Sequence, residues 1–235
     1  MEQKKDKIVL HTCCAICSGY PISLLKDMGY QVIAYFYNPN IYPIEEYQKR
    51  LDAEISLCKH LGCELVVGDY ETDLYYESVA GLENEPEKGI RCDKCFELRL
   101  LKTAKFAKEN GIQYITTSMV ISPHKNFQKL TSIGECIASD FDLNYLAIDF
   151  KKKDGFLKTN KISKELGLYR QNYCGCKFIS ADADLDRNEK VKKIVDYSSK
   201  TNKYFELQVC WNKQEGMNCC KCEKCYRTMM NILSA

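Results

Sequence analysis

Several features are scarce in this sequence of 235 residues, which has only 5 prolines, 3 histidines and a single tryptophan. No apolar run approaches the roughly 18 residues that a membrane-spanning helix needs. The 34 lysines and arginines barely exceed the 32 aspartates and glutamates, so a net charge of +2 excludes a general polyanion binder. The first residues, MEQKKDKIVLHTCC, lack the apolar core and cleavage site of a secretion signal. We therefore expect a cytoplasmic protein with no membrane partner.

Cysteine, in contrast, is abundant, with 15 in the chain. A disulfide scaffold is one interpretation, but such scaffolds are typically small and secreted. This chain has long helical patterns and no export signal, which favours metal ligation or thiol redox chemistry.

The hydrophobic pattern alternates between strands and helices, which predicts a parallel sheet covered on both faces. We expect strands over residues 7–12, 31–37, 63–67, 114–119 and 145–150, and helices over 18–28, 43–61, 93–110 and 127–139. Ligands of such sheets bind at the carboxyl ends of the strands, where Cys13 and Cys14 would emerge. We expect a catalytic domain at 1–180, a polar helix or linker at 181–209 and a metal-binding tail at 210–235.

The tail contains the clearest metal-site spacing, C-x8-C-x2-C-x2-C. Four thiolates can close a tetrahedron around zinc and leave no open coordination position. We therefore expect a structural zinc site, and the tail resembles the zinc-binding end of the 7-cyano-7-deazaguanine synthases. Its predicted ligands are Cys210, Cys219, Cys222 and Cys225, whereas Cys220 has no assigned role.

Two further pairs of cysteines come from distant segments. Cys13 and Cys14 follow the first strand, with Cys17 nearby, and Cys92 and Cys95 form a C-x-x-C at the start of a helix. The helix macrodipole, together with Arg91 and Lys94, is expected to favour thiolates there. Four thiolates suit an iron–sulfur cluster. Zinc fits the same ligands, although adjacent cysteines reach separate irons more easily than one small ion.

Cys174-Gly175-Cys176 is a C-x-C in which glycine frees the backbone. Such a pair can store two electrons as a readily reduced disulfide, or both sulfurs can bind a second metal. The remaining Cys58, Cys63 and Cys136 are expected to be buried, inert thiols.

Five blocks of sequence together resemble the QueH-type epoxyqueuosine reductases, from about residue 8 to residue 178. They are LHTCCAICS, YNPNIYPIEEYQKR, RCDKCFELRL, TTSMVISPHKN and the pair DFKKKDGF with LYRQNYCGC. The resemblance implies a HUP-like (Rossmann-like) α/β fold related to the ATP pyrophosphatases. It also implies reduction of epoxyqueuosine to queuosine at the wobble position of tRNA, with electrons from an external donor.

The resemblance also implies the site residues. Cys13, Cys14, Cys92 and Cys95 would hold a [4Fe-4S] cluster. Cys174 and Cys176 would be the redox-active pair or ligands to a second iron beside the cluster. Position in the sequence, rather than the resemblance, suggests the proton donors: Asp149 ends a predicted strand and Tyr169 lies beside the C-x-C. The first can equally cap a turn, and the second can simply pack.

Basic residues near the cysteines are candidates for contact with tRNA phosphates. One group surrounds the segment DFKKKDG, and the other follows the C-x-x-C along its helix. The first contains Lys151, Lys152, Lys153, Lys158, Lys161 and Lys164, and the second contains Arg91, Lys94, Arg99, Lys102, Lys105 and Lys108. His124 and Lys125 are candidates for phosphate or base contact, whereas His11 is expected to be a hydrogen-bonded core residue.

Two other classes of function compete with the reductase. A zinc-stabilised, nucleotide-dependent enzyme of the ATP pyrophosphatase type would need a glycine- and serine-rich phosphate loop at residues 11–19, and TCCAICS lacks one. A non-catalytic protein that binds nucleic acid or carries a cluster would use its cysteines only as structural metal ligands. That class of function does not account for the C-x-C pair.

Overall fold

The computed structural model describes residues 6–171 and 173–178. The predicted linker and the predicted zinc ligands of the tail lie outside these residues. Within them, five parallel strands form one sheet in the order β3-β2-β1-β4-β5. The strands are β1 (Lys7–Thr12), β2 (Gln31–Phe36), β3 (Glu64–Val67), β4 (Tyr114–Thr117) and β5 (Asn144–Tyr145). The predicted parallel α/β sheet is therefore confirmed.

Six α-helices accompany the strands in the described part of the chain. They are α1 (Ala15–Asp27), α2 (Ile44–Leu61), α3 (Thr72–Ser78), α4 (Ile90–Glu109), α5 (Phe127–Asp140) and α6 (Gly155–Glu165). A 3-10 turn, Ser118–Ile121, follows β4. None of the described helices is long and apolar enough to cross a bilayer.

The core lies around β1, the central strand. Ile8, Val9 and Leu10 are fully buried because helices cover both faces of the sheet. β1 pairs in register with β2 on one side, Leu10 opposite Ala34, and with β4 on the other, Leu10 opposite Thr116. This registration brings the carboxyl ends of three strands to one edge.

Two helices begin earlier than the sequence pattern predicts. α1 begins at Ala15 rather than residue 18, so Cys14 is its N-cap and Cys17 lies in its first turn. α4 begins at Ile90 rather than residue 93, with Gly89 as its N-cap. Cys92 and Cys95 therefore lie three residues apart on one helix, in its first two turns.

The prediction of a strand over residues 145–150 is wrong beyond Tyr145. The backbone N–H groups of Ile148 and Phe150 donate to carbonyls two residues earlier, at Leu146 and Ile148, rather than to a neighbouring strand. No strand lies beside them because β4 ends at Thr117 and gives way to the 3-10 turn. Helices α3 and α6 were not predicted from the sequence.

A thiol-lined candidate active site at the carboxyl edge of the sheet

The turn from β1 into α1 brings three thiols together. The Sγ atoms of Cys13, Cys14 and Cys17 all lie within 4.8 Å of one another, and the first two side chains are buried. Cys13 continues β1, Cys14 has the extended backbone of an N-cap, and the N–H of Cys17 closes the first turn on the carbonyl of Cys14. Within the described ranges no other group of His, Cys, Asp or Glu ligands is as tightly clustered.

The three thiols differ in their protonation. Hydrogen bonds from the thiols of Cys14 and Cys17 hold the pKa of Cys13 well below its usual range. Donating to Cys13 raises the pKa of Cys14 to about 12 and that of Cys17 well above its ordinary value. Ionisation of the trio is therefore favoured at Cys13, with Cys14 and Cys17 as its neighbouring donors.

Cys92 and Cys95 project from the start of α4. Burial raises the pKa of Cys92, despite a hydrogen bond of 3.2 Å from the N–H of Lys88 to its sulfur, and raises that of Cys95 to about 12. Arg91 lowers the pKa of Cys92 in the expected direction, but burial outweighs it. Arg91 donates to the carbonyls of loop 82–85, and Lys94 pairs with Glu97 at 2.7 Å.

Arg99 links the two pairs of cysteines. It lies on α4, is 2% exposed, and donates to Asn38 Oδ1 at 2.5 Å. Burial opposes its charge, but the thiols of Cys95 and Cys13 more than offset this and raise its pKa. Among the residues that the structure describes, its Nε has no partner within hydrogen-bond distance. Within the same residues, the guanidinium is a buried cation that interacts with sulfur rather than with a carboxylate.

Two further cations act on the same sulfurs. Arg50, on α2, has a raised pKa because the thiol of Cys14 and the carboxylate of Glu46 outweigh its burial. Lys125 is likewise raised, against burial, by Cys13 and Cys174. Three cations from three different segments thus converge on the thiols, which makes this region suited to a cofactor or ligand set of net negative charge.

The Cys174-Gly175-Cys176 segment is fastened over the start of α2. Arg50 donates to the carbonyls of Cys174 at 2.9 Å and Tyr173 at 3.3 Å, and its guanidinium stacks on the Tyr173 ring. The N–H of Tyr42 donates to Gly175 O at 2.8 Å, and Ile41 and Cys176 form an antiparallel bridge. Gly175 has a φ of +87°, and a Cβ there would lie 2.8 Å from Arg50 Nη2. Only glycine fits under this clamp.

Tyr75, on the unpredicted helix α3, is a site residue that the sequence did not indicate. Its hydroxyl lies 3.0 Å from Cys176 Sγ, and its side chain is fully buried. Burial and the charges of Cys95 and Cys176 raise its pKa. The segment TDLYYES is too short and too polar to give a clear helical pattern, so no sequence signal could have located this residue.

The two predicted proton donors make contacts away from the thiols. Asp149 Oδ1 accepts the N–H of Lys151 at 3.1 Å, which caps a turn. The Tyr169 hydroxyl donates to Glu46 Oε2 at 2.6 Å, and the other oxygen of Glu46 binds Arg50. Tyr169 thereby joins the network that holds the C-x-C segment.

The expectation that His11 is a hydrogen-bonded core residue is confirmed. His11 is fully buried; its Nε2 donates to the carbonyl of Tyr37 and its Nδ1 accepts from the hydroxyl of Thr117. Burial and Arg99 lower its pKa to about 3, so it is neutral. His124 is exposed, whereas the neighbouring Lys125 is partly buried, with its Nζ 5.7 Å from the Phe96 ring centroid.

The three unassigned cysteines differ from one another. Cys58 is buried, as predicted, but Cys63 is only partly buried and Cys136 is exposed on α5. All ten described cysteines are free thiols. Cys136 lies within a helix, as predicted, but the prediction that it is buried is wrong, because α5 turns this side chain towards solvent.

The two predicted basic surfaces have different structures. Around α6, Lys152, Lys153, Lys158, Lys161 and Lys164 are exposed. Along α4, Arg91 and Arg99 are buried, and Lys102 pairs with Glu71 at 2.6 Å. The second group is therefore not a continuous surface for binding phosphates, because its two arginines are buried inside the protein.

Glu54 is a buried acid beneath the thiols that the sequence did not single out. It lies on α2, is fully buried, and accepts a hydrogen bond from Ser18 at 3.2 Å. Burial raises its pKa to about 8, with a contribution from the charge of Cys13. The carboxyl is therefore largely protonated at neutral pH.

A parallel sheet whose first strand-to-helix turn carries three clustered thiols defines an α/β protein with a thiol-lined candidate active site. The model of the family described as "Epoxyqueuosine reductase QueH" matches residues 8–182. The chain therefore belongs to the QueH family of epoxyqueuosine reductases, which confirms the resemblance and the prediction of an oxidoreductase.

Relatives from several bacteria agree. The epoxyqueuosine reductase QueH of Acinetobacter baylyi is 38% identical over 180 residues, covering 76% of this chain and 83% of the relative. That of Haemophilus influenzae is 33% identical, covering 81% and 78%, and that of Streptococcus pyogenes is 35% identical, covering 79% and 74%. Among solved structures, the U34-tRNA thiolase NcsA from Methanococcus maripaludis with its [4Fe-4S] cluster superposes with a TM-score of 0.51. It is 15% identical and is matched over 91% of this chain and 77% of its own, a likeness of fold.

Substituting Gly175 tests the clamp on the C-x-C segment. Gly175 and Gly81 both have positive φ, but a Cβ at Gly81 meets nothing within 4 Å. Both alanine variants should lose roughly 1–2 kcal/mol of stability from the backbone alone. Only Gly175→Ala should displace the segment from Arg50, and hydrogen exchange of the Tyr42 amide should then accelerate. Equal exchange in the two variants would contradict the clamp.

The buried Glu54 predicts a pH dependence of stability. Its pKa in the folded state is about 8, which exceeds the ordinary 4.5. At pH values between these two, the folded protein keeps the proton on Glu54, whereas the unfolded chain has released it. The free energy of unfolding should therefore fall as pH rises from about 5 to about 8.5, by at most about 5 kcal/mol from this group. Urea unfolding under reducing conditions should show a shallower slope for Glu54→Gln. The exposed Glu64→Gln is the control, and parallel curves for wild type and Glu54→Gln would refute the assignment.

Proposed function

We propose that this protein reduces epoxyqueuosine in tRNA to queuosine. The reaction removes the epoxide oxygen as water, so it consumes two electrons and two protons and leaves a carbon–carbon double bond. The observation that carries the proposal is the family match over residues 8–182, which includes the turn after β1, the C-x-x-C and the C-x-C. An external donor must supply the electrons.

The ligands proposed for a [4Fe-4S] cluster are Cys13, Cys14, Cys92 and Cys95. The donor set fits this group in two respects. All four are thiols, and the buried Arg99 interacts with Cys13 and Cys95 while its Nε has no partner in the described part of the chain. Four thiolates around a cluster give a net negative charge that a buried cation stabilises. When bound, the cluster would supply electrons one at a time.

The proposed two-electron group is the pair Cys174 and Cys176. Oxidation of the two thiols to a disulfide releases two electrons and two protons, which matches the demand of the epoxide. Arg50 and Tyr75 support this role because the first holds the backbone of the segment and the second contacts the Cys176 sulfur. Ligation of a second iron is the other role proposed for the same sulfurs, and metal analysis distinguishes the two.

Asp149 and Tyr169 stay the proposed proton donors. Each has a second role in its own contacts, Asp149 as a turn cap and Tyr169 as a partner of Glu46. The nucleotide-dependent alternative gains nothing from the turn after β1, since the side chains of Cys13, Cys14 and Ile16 are buried there and no glycine loop opens towards a phosphate.

Metal analysis of anaerobically purified protein tests the ligand assignment. We expect about four irons and about four sulfides per chain, together with about one zinc in the tail. Cys92→Ser/Cys95→Ser should lose the sulfide-linked iron and retain zinc. Cys136→Ser, the exposed thiol on α5, should retain both, as should Cys17→Ser.

Either of two outcomes would overturn this assignment. Zinc without sulfide in anaerobic or reconstituted protein would exclude an iron–sulfur cluster. Loss of the cluster from Cys17→Ser but not from Cys92→Ser/Cys95→Ser would show that the proposed ligand set is wrong. About five irons in wild type, falling to about four in Cys174→Ser/Cys176→Ser with sulfide unchanged, would assign the C-x-C to a second iron.

Turnover with tRNA carrying epoxyqueuosine tests the reaction itself. We expect wild type with a low-potential reductant to form queuosine, detected by mass spectrometry of nucleosides. Cys174→Ser or Cys176→Ser should lower the rate at least about 100-fold, and Cys136→Ser should not change it. Tyr169→Phe should lower kcat by about 100-fold or more as a proton donor. A wild-type rate in Tyr169→Phe would show that Tyr169 is not a proton donor and that its hydroxyl serves only as a hydrogen-bond partner of Glu46.

A further inference from the structure

An exposed tyrosine stands beside the C-x-C segment. Tyr42 is 49% exposed, although it directly follows the buried Ile41. Lys177 Nζ lies 5.5 Å from the centroid of the Tyr42 ring and 5.0 Å from that of Tyr76. Tyr42, Lys177 and Tyr76 thus form an aromatic–cation group, which we call the rim stack.

The rim stack is fixed relative to the thiols. The backbone of Tyr42 donates to Gly175 O at 2.8 Å, and Ile41 bridges Cys176. Tyr76 follows Tyr75, whose hydroxyl contacts Cys176 Sγ, and it packs edge-on against Phe178 at 5.9 Å. The exposed ring is therefore attached by its own main chain to the residue between the two thiols. A ligand that stacks on it is placed next to the C-x-C pair.

The chemistry of the rim stack matches an unpaired nucleotide. Aromatic faces stack on nucleobases regardless of sequence, and a neighbouring ammonium group pairs with phosphate. Lys177 is exposed, and its described contacts are with the two rings. An exposed apolar surface with one adjacent cation suits a base and its phosphate better than it suits a purely anionic or purely apolar ligand.

We propose that the rim stack binds an unpaired RNA base adjacent to the reacting nucleotide. This inference rests on the proposed function for the identity of the RNA. Tyr42 provides the stacking face, Lys177 contacts a backbone phosphate, and Tyr76 supports the ammonium group from the other side. The bound base positions its neighbour over Cys174 and Cys176.

Binding of an RNA hairpin tests the proposal without any turnover. The probe is a fluorescein-labelled hairpin with the anticodon loop of a queuosine-type tRNA and unmodified guanine at the wobble position, measured by anisotropy with the full-length protein. Tyr42→Ala should weaken binding by roughly 5- to 150-fold, the range of one lost base–aromatic stack. Tyr42→Phe should bind within about twofold of wild type because it keeps the ring.

Lys177→Met should weaken binding and reduce the slope of log affinity against log salt by about one. Lys59→Met, an exposed lysine at the end of α2, and Leu157→Ala, an exposed apolar residue on α6, are the matched controls and should bind as wild type does. Unchanged thermal unfolding and iron content would show that each variant is folded.

Hairpins with an abasic site on either side of the wobble guanine identify the base. The hairpin that lacks the stacked base should bind Tyr42→Ala and wild type with equal affinity, because the base that would stack on Tyr42 is already absent. Any of three results would overturn the proposal. Tyr42→Ala could bind with wild-type affinity, it could lose the same factor of affinity with every hairpin, or the wild-type protein could fail to bind the hairpin at all. Failure of the proposed function is distinguishable, since it would abolish epoxide reduction while the affinity differences for the unmodified hairpin persisted.

Discussion

The structure depends on how a buried cation is neutralised. Arg99 is 2% exposed, and within the described residues its partners are the amide of Asn38 and the thiols of Cys95 and Cys13 rather than a carboxylate. Asn38 in turn donates to the carbonyl of Thr12 at 2.9 Å, so one guanidinium connects α4 to the ends of β1 and β2. An uncompensated buried charge costs several kcal/mol. The sulfurs must therefore carry negative charge, or bind something that does, for this arrangement to be stable.

The thiols differ in their pKa values for local reasons. Burial raises the pKa of Cys95 to about 12, whereas hydrogen bonds from two neighbouring thiols lower that of Cys13. Under the proposed function, binding of a metal cluster would release thiol protons, so cofactor loading and proton release would be coupled. Arg99 and Lys125 would favour that release because both interact with Cys13. The cations would then contribute to binding without acting as ligands.

The sequence predicted those features that depend on local pattern. β1, its turn and the C-x-x-C were recognisable because apolar strands, terminal glycines and cysteine spacing act over short distances. The predicted boundaries failed where local sequence is ambiguous: the N-cap of α1 is Cys14, which makes no side-chain cap, whereas Ser18 is of a type common at helix starts, so α1 appeared to begin three residues late. Tyr75, Arg50 and Arg99 were missed as site residues for another reason. Their roles arise from contacts between segments far apart in the chain, such as Arg50 with Cys174, and no spacing records these.

The depth of the thiols constrains the substrate. Cys13, Cys14 and Cys95 are at most 8% exposed, and Cys174 and Cys176 are only partly exposed. Under the proposed function, a nucleotide stacked within an RNA loop could not bring its base to these sulfurs, because the neighbouring bases would collide with the rim. The reacting nucleotide must leave the stack, and unstacking costs a few kcal/mol. A rigid aromatic surface at the rim offsets part of that cost by stacking the base left behind. The geometry thereby joins two separate tasks, since the same backbone that fixes the C-x-C pair also presents Tyr42.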